Sequence, residues 1–129
     1  MRVFPLPLYL CEITVLHCRH RDLMAASRGC HPQVRTIVKE MADDAAPPLG
    51  ASMYRSGQRK GSETRRTVVI FVESEQRAAE KRLTAVHEAT HAAGSILEGI
   101  CHEIKPADDE PHAYLVEWIT RCVWQTCSV

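Results

Sequence analysis

The sequence predicts an α+β fold, a single domain over residues 1–129, in which a small mixed β-sheet packs on a long helix and a C-terminal helix. Three observations carry that expectation. Residues 67–73 form a β-branched run, Thr-Val-Val-Ile-Phe-Val-Glu, bounded by polar residues, which reads as the clearest strand. Residues 75–98 and 108–125 carry apolar side chains at helical spacing and read as two long helices packed together. With 129 residues, 45% of them hydrophobic, the chain is long enough to bury one core without disulfide staples.

Taken in order, residues 6–17 are rich in β-branched and aromatic side chains and read as a strand, with Pro5 and Pro7 at its start. A polar stretch at 17–20 leads to a short helix at 21–27 that Gly29 ends. Residues 33–43 place Val34, Ile37, Val38 and Met41 on one face of a helix with Pro32 in its first turn, expected to be short and peripheral. Pro47 and Pro48 mark 45–50 as a connector, 51–55 reads as a short strand, and the Gly-, Ser- and charge-rich 56–66 as a mobile loop. Ser74 is placed to cap the long helix, Glu75 to meet its positive end and Gly99 to stop it. Asp108 and Asp109 open the last helix, where Pro111 falls in the tolerant first turn.

Composition narrows the function. Sixteen basic and 16 acidic side chains cancel, so no global field holds a polyanion, and only 5% of residues are aromatic. Nucleic acid is therefore not expected as a partner. The apolar stretch at 3–16 is broken by Pro5, Pro7, Cys11 and Glu12, too short for a membrane span and without a cleavage pattern after it. No membrane partner is expected, the cytoplasm is the default compartment, and the six cysteines are expected to be reduced.

The seven histidines are more informative, because His87 and His91 stand four apart in the long helix with Glu88 beside them, the pattern HExxH. That spacing puts both imidazoles on one face, one turn apart, where they can share a cation. Two neutral imidazoles beside a carboxylate base are the arrangement of zinc hydrolases. With seven histidines and eleven glutamates, chance alone produces the pattern in about three of a hundred shuffled chains. The flanking Leu83, Val86, Ala89, Ala92, Ala93 and Ile96 add weight, since a surface accident is not expected among small and apolar neighbours.

A catalytic zinc needs a third protein ligand. The metzincin continuation fails, because Leu97 stands where its third histidine belongs. Glu98 is two turns beyond His91, roughly 10 Å along the axis, and out of reach. Glu110 is the favoured candidate, 18 residues separating it from His91 at the start of the next helix, with His112, Glu103, His102 and Asp109 as rivals.

HExxH followed at that interval by a glutamate on a second helix resembles the gluzincins, the thermolysin-like and aminopeptidase-like metallopeptidases, over residues 85–118. A closer resemblance is to small zincin-like proteins of bacteriophages and prophages. These pair HExxH with a stretch similar to Asp109-Glu110-Pro-His-Ala113-Tyr114-Leu115-Val-Glu-Trp118. The resemblance implies a minimal zincin-like domain, zinc held by His87, His91 and Glu110, and Glu88 as general base. Pro111 and His112, directly after Glu110, depart from the pattern. The implied function is a zinc-dependent metallopeptidase hydrolysing a peptide or protein amide, in the cytoplasm of a bacterial host if phage-encoded. In this scheme zinc acidifies a water, Glu88 takes its proton and passes it to the leaving amine, and residues 67–73 pair with the extended substrate. The alternative is a non-catalytic, zinc-stabilised interaction protein acting on a host or phage partner. Oligomeric state is open.

Tyr114, one turn beyond Glu110, is a candidate catalytic donor to a developing oxyanion, with half-buried packing as its simpler role. Leu115, Trp118, Ile119 and Val123 are expected to form the core face of the last helix. His17-Cys18-Arg-His20 and Cys30-His31 lack paired structural-zinc spacing. Cys11, Cys101, Cys122 and Cys127 are expected to act as small apolar fillers. The basic stretch 58–66, with Arg59, Lys60, Arg65 and Arg66, is expected to be solvated.

Overall fold

The computed structural model describes residues 1–44, 48–58, 64–103, 105 and 109–129. Its elements are β1 (Arg2–Leu6), β2 (Cys11–Cys18), α1 (Leu23–Ala26), α2 (Pro32–Ala42), β3 (Gly50–Gln58), β4 (Thr64–Glu73), α3 (Ala78–Gly99) and α4 (Glu110–Cys127). The four strands form one mixed sheet in the order β1-β2-β4-β3. β2 and β4 are parallel, in register from Cys11↔Arg66 to Cys18↔Glu73, while β1 and β3 pair antiparallel on either side. The fold is thus mixed α and β, as the α+β expectation has it at the level of class.

β4 explains the layering. Val68 to Val72 are all fully buried, so both faces of this strand need cover. Val68, Ile70 and Val72 join Ile13 and Val15 against Ala85, Ala89, Ala93 and Ile96 of α3 and Leu115, Ile119 and Val123 of α4. Val69 and Phe71 join Leu16 on the opposite face against Leu23 and the Val34, Ile37, Val38, Met41 stripe of α2. The α2 stripe forms where the spacing predicts it. The helix is not peripheral, because it closes the second face of the sheet.

Three further expectations are corrected. Residues 6–17 are not one strand. Pro7 opens a single 3-10 turn at Pro7–Tyr9, Leu10 takes a left-handed conformation at φ 49°, and the chain reverses into a β1–β2 hairpin. Pro5 is tolerated because β1 is an edge strand. Residues 56–66 do not form a loop throughout, since β3 runs on to Gln58 and β4 starts at Thr64. An edge strand held by backbone pairing needs little apolar content, which is why its Gly- and Ser-rich end reads as loop. Arg59 and Lys60 lie outside the described residues, as do Pro47 and Asp108.

The long helix starts at Ala78 rather than Glu75. The Ser74 hydroxyl donates to the Glu73 carboxylate, which also accepts the Glu75 N–H, so 74–76 close a turn instead of a helix. Glu80 then accepts the Arg77 N–H at 3.0 Å and holds the true N-terminus. At the far end Gly99 is the last helical residue and Ile100 caps it. α4 is capped by Asp109, whose carboxylate accepts the His112 N–H at 2.8 Å. Among the described residues no helix is long and apolar enough to cross a membrane.

Candidate metal centre

His87, Glu88 and His91 lie in the middle of α3, where the helix is over-determined by its packing on the sheet. Both histidines are exposed, and their Nε2 atoms face each other at 3.2 Å. Two imidazole nitrogens bound tetrahedrally to one zinc at 2.0–2.1 Å stand about 3.3 Å apart, so the pair is spaced for a shared ion. Without an ion, one ring donates its N–H to the lone pair of the other. The donor set therefore fits two of the ligands a zinc requires.

Glu88 is set apart from its neighbours by burial, at 6% exposure. It sits under the start of β3. A Cβ built on Gly50 would lie 2.3 Å from Thr84 Cγ2 and 3.2 Å from Glu88 Cγ, so only glycine lets β3 approach this turn. Gln76, itself buried, clamps that approach by donating to the Leu49 carbonyl at 2.7 Å and accepting the Thr84 hydroxyl at 2.8 Å. Gly50, Gln76 and Thr84 are positioning residues that sequence reasoning missed. A glycine opening a strand was the only local signal for them.

The faces of α3 divide the predicted site. Thr84, Glu88, His91 and Ser95 follow a helical stripe; its ends contact β3 residues, Thr84 and Glu88 at Gly50 and Ser95 in a hollow with Ser52 and Tyr54. Val86 and Thr90 lie on the other flank, in a groove with His112, Ala113, Val116 and Trp124 of α4. The exposed histidine pair thus faces outward between the two flanks, with β3 on the Thr84–Glu88 side and α4 on the Val86–Thr90 side. Glu110 is exposed in the first turn of α4, and Tyr114 is 67% exposed one turn on. Among the described residues no group of three or more His, Cys, Asp or Glu side chains is gathered to hold a metal.

Two of the rival ligands, His102 and Asp109, are partners of each other. His102 Nε2 lies 3.0 Å from the Asp109 carboxylate, which also accepts the backbone N–H groups of His112 and Lys105. These contacts, led by the His112 N–H, hold the Asp109 carboxyl below the usual carboxylate range. Glu103 is exposed beside them. The outlying histidines also have structural roles. His20 bonds to the Met41 carbonyl at 2.8 Å, and His31 Nδ1 accepts the Gln33 N–H at the start of α2. Cys30 donates to Met1 Sδ, while Arg65 pairs with Glu12 at 2.8 Å.

Two expectations about surroundings change. Leu83 and Val86 do not bury the motif, at 73% and 42% exposure; only the alanines and Ile96 do. Residues 67–73 cannot pair with a substrate, because β4 is flanked by β2 on one side and β3 on the other. Among the described residues the sheet edge beside α3 belongs to β3. The Glu73 backbone N–H donates to the Leu49 carbonyl, which makes 49↔73 a hydrogen-bonded pair and fixes the alternation along the ladder. Ala51, Met53 and Arg55 therefore bond to β4, and Gly50, Ser52, Tyr54 and Ser56 turn their N–H and C=O groups outward. Comparison with protein-family models, curated proteins and solved structures finds no match to this chain.

Proposed function

We propose that this chain is a zinc-dependent hydrolase of the HExxH type, acting on a peptide or protein amide, with Glu88 as general base. The observation that carries the reading is the convergence of His87 and His91 Nε2 at 3.2 Å next to a buried glutamate. His87 and His91 would hold the ion, and the resemblance assigns the third position to Glu110. Bound zinc supplies the acidity that makes a water deprotonable near neutral pH. Glu88 receives that proton in a turn shielded by β3 and returns it to the leaving amine.

An extended substrate has a docking edge in this reading, the outward N–H and C=O groups of Gly50, Ser52, Tyr54 and Ser56, beside the stripe that carries His91. Tyr114 is the proposed oxyanion donor and Tyr114→Phe its test, with a fall in kcat at unchanged zinc content as the expected result. The deciding experiment is Glu88→Gln with metal analysis and a peptide-hydrolysis assay. The variant is expected to bind zinc as wild type does and to lose hydrolysis by at least a hundredfold, as removal of a general base does. Retained hydrolysis rejects the assignment, and a wild-type chain that binds no zinc at neutral pH rejects the centre. Zinc affinity falling in Glu110→Ala but not in His112→Ala is the expected mark of the third ligand.

The second reading is a zinc-stabilised interaction protein with no turnover. It is favoured by the exposure of both histidines and the absence of a three-ligand group among the described residues. It predicts that Glu88→Gln keeps every biological effect of the wild type.

A further inference from the structure

We infer that two copies of this chain share one zinc ion through their His87–His91 pairs, and that this four-histidine dimer is the closed form of the proposed hydrolase. The inference rests on the metal-binding reading and extends it to how the site is completed. A zinc that takes both histidines of one chain still needs two ligands to fill a tetrahedral shell. Among the described residues of the same chain no third ligand stands with the pair. A copy related by a two-fold axis supplies an identical pair, and such an axis is the commonest way identical chains associate.

The surface around the histidines suits a second copy. Between Leu83 and Ser95 the only charged side chain is Glu88, and it is buried. The outer face of that stretch therefore presents Leu83 and the two imidazoles, with open space beside Gly94 and Thr90 at its edge toward the α4 groove. Glu117 and Arg121 of α4, which line the groove beside Thr90, pair with each other, so the charges at the rim are balanced, and the chain's formal net charge of zero adds no long-range repulsion. Leu83, exposed in the single chain, gains cover beside the metal. Four imidazoles leave no open position for water, so the dimer is inactive, and zinc in excess converts it to single chains with one ion each.

The test is sedimentation velocity of the metal-free full chain titrated with zinc alone at neutral pH, with bound zinc measured in parallel. The dimer is expected to peak at one zinc per two chains and to recede as zinc passes one per chain. His87→Ala and His91→Ala are expected to stay monomeric at every ratio. Thr90→Arg keeps both ligands but puts a charge on the meeting face, and is expected to bind zinc as a monomer. Circular dichroism of the metal-free variants should match wild type, because all three positions are exposed. Zinc bound by a chain that stays monomeric at half-stoichiometry overturns the dimer and leaves the metal centre standing. A dimer that persists in His87→Ala or without zinc also overturns it. A chain that binds no zinc overturns both.

Discussion

Gly50 opens β3 against the turn of α3 that carries Glu88, and Gly50→Ala tests whether that close approach is real. The new Cβ would lie 2.3 Å from Thr84 Cγ2 and 3.2 Å from both Glu88 Cγ and the Phe71 carbonyl oxygen. Ordinary contacts begin near 3.4 Å, so strand and helix must part by about 1 Å at this point. Overpacking of that kind costs about 1–3 kcal/mol, equivalent to roughly 4–10 °C in Tm for a domain of this size. The Thr84 hydroxyl is held by Gln76, which keeps its methyl pointing where it is. Thr84→Ser removes the clashing Cγ2 and keeps the hydroxyl, so the double variant should recover about half or more of the loss. Urea denaturation of the two single variants, the double variant and wild type closes the cycle. Strictly additive effects, or a Gly50→Ala chain as stable as wild type, would refute the account of how β3 is seated over Glu88.

Three other predictions concern titration and reactivity. Burial, with Lys81 and the N-terminal amine nearby, lowers the His17 pKa below its ordinary 6.5. The unfolded chain then takes the proton more readily, so His17's contribution is full above about pH 6.5 and falls as pH drops toward the lowered folded value. His17→Gln should flatten the loss of stability between pH 7 and 5.5, and equal slopes would reject this. The Asp109 carboxyl, lowered chiefly by the His112 N–H, contributes above the ordinary carboxylate range and is lost as pH falls through its depressed value. Amide exchange at His112 should accelerate in Asp109→Ala at neutral pH, with variant and wild type converging in strong acid. Burial pushes the Cys11, Cys122 and Cys127 thiols up to about 11, whereas Cys101 is exposed. Alkylation at pH 8 followed by mass spectrometry should mark Cys101 before those three, and equal labelling would contradict the packing described.

Much of the fold is legible along the chain wherever one local pattern decides the outcome. The α4 core face forms at Leu115, Ile119 and Val123, and Asp109 caps that helix. The 67–73 run is a strand, and Val34, Ile37, Val38 and Met41 form a buried stripe. Ser74 misleads because Glu73 competes for its hydroxyl, and a capping side chain serves whichever partner lies nearer. The reversal at Pro7 misleads because β-branched composition reports strand propensity on both arms of a hairpin and says nothing of where the chain turns. The unbroken apolar run Val68 to Val72 marks a strand, but that both its faces are covered, and by which helices, comes only from the structure.

The sequence by itself determined that His87 and His91 share a helix face with Glu88 next to them, because the 3.6-residue period leaves no other choice. It also determined that the chain has two long C-terminal helices and a strand before them. Only the tertiary structure decided that Glu88 is the buried member, that β3 rather than β4 lies at the sheet edge, and that α4 docks along the Val86–Thr90 flank of α3. Those outcomes depend on which surfaces meet across long stretches of chain. Strand order and helix docking are settled by the summed burial of both faces of β4, which no single segment encodes.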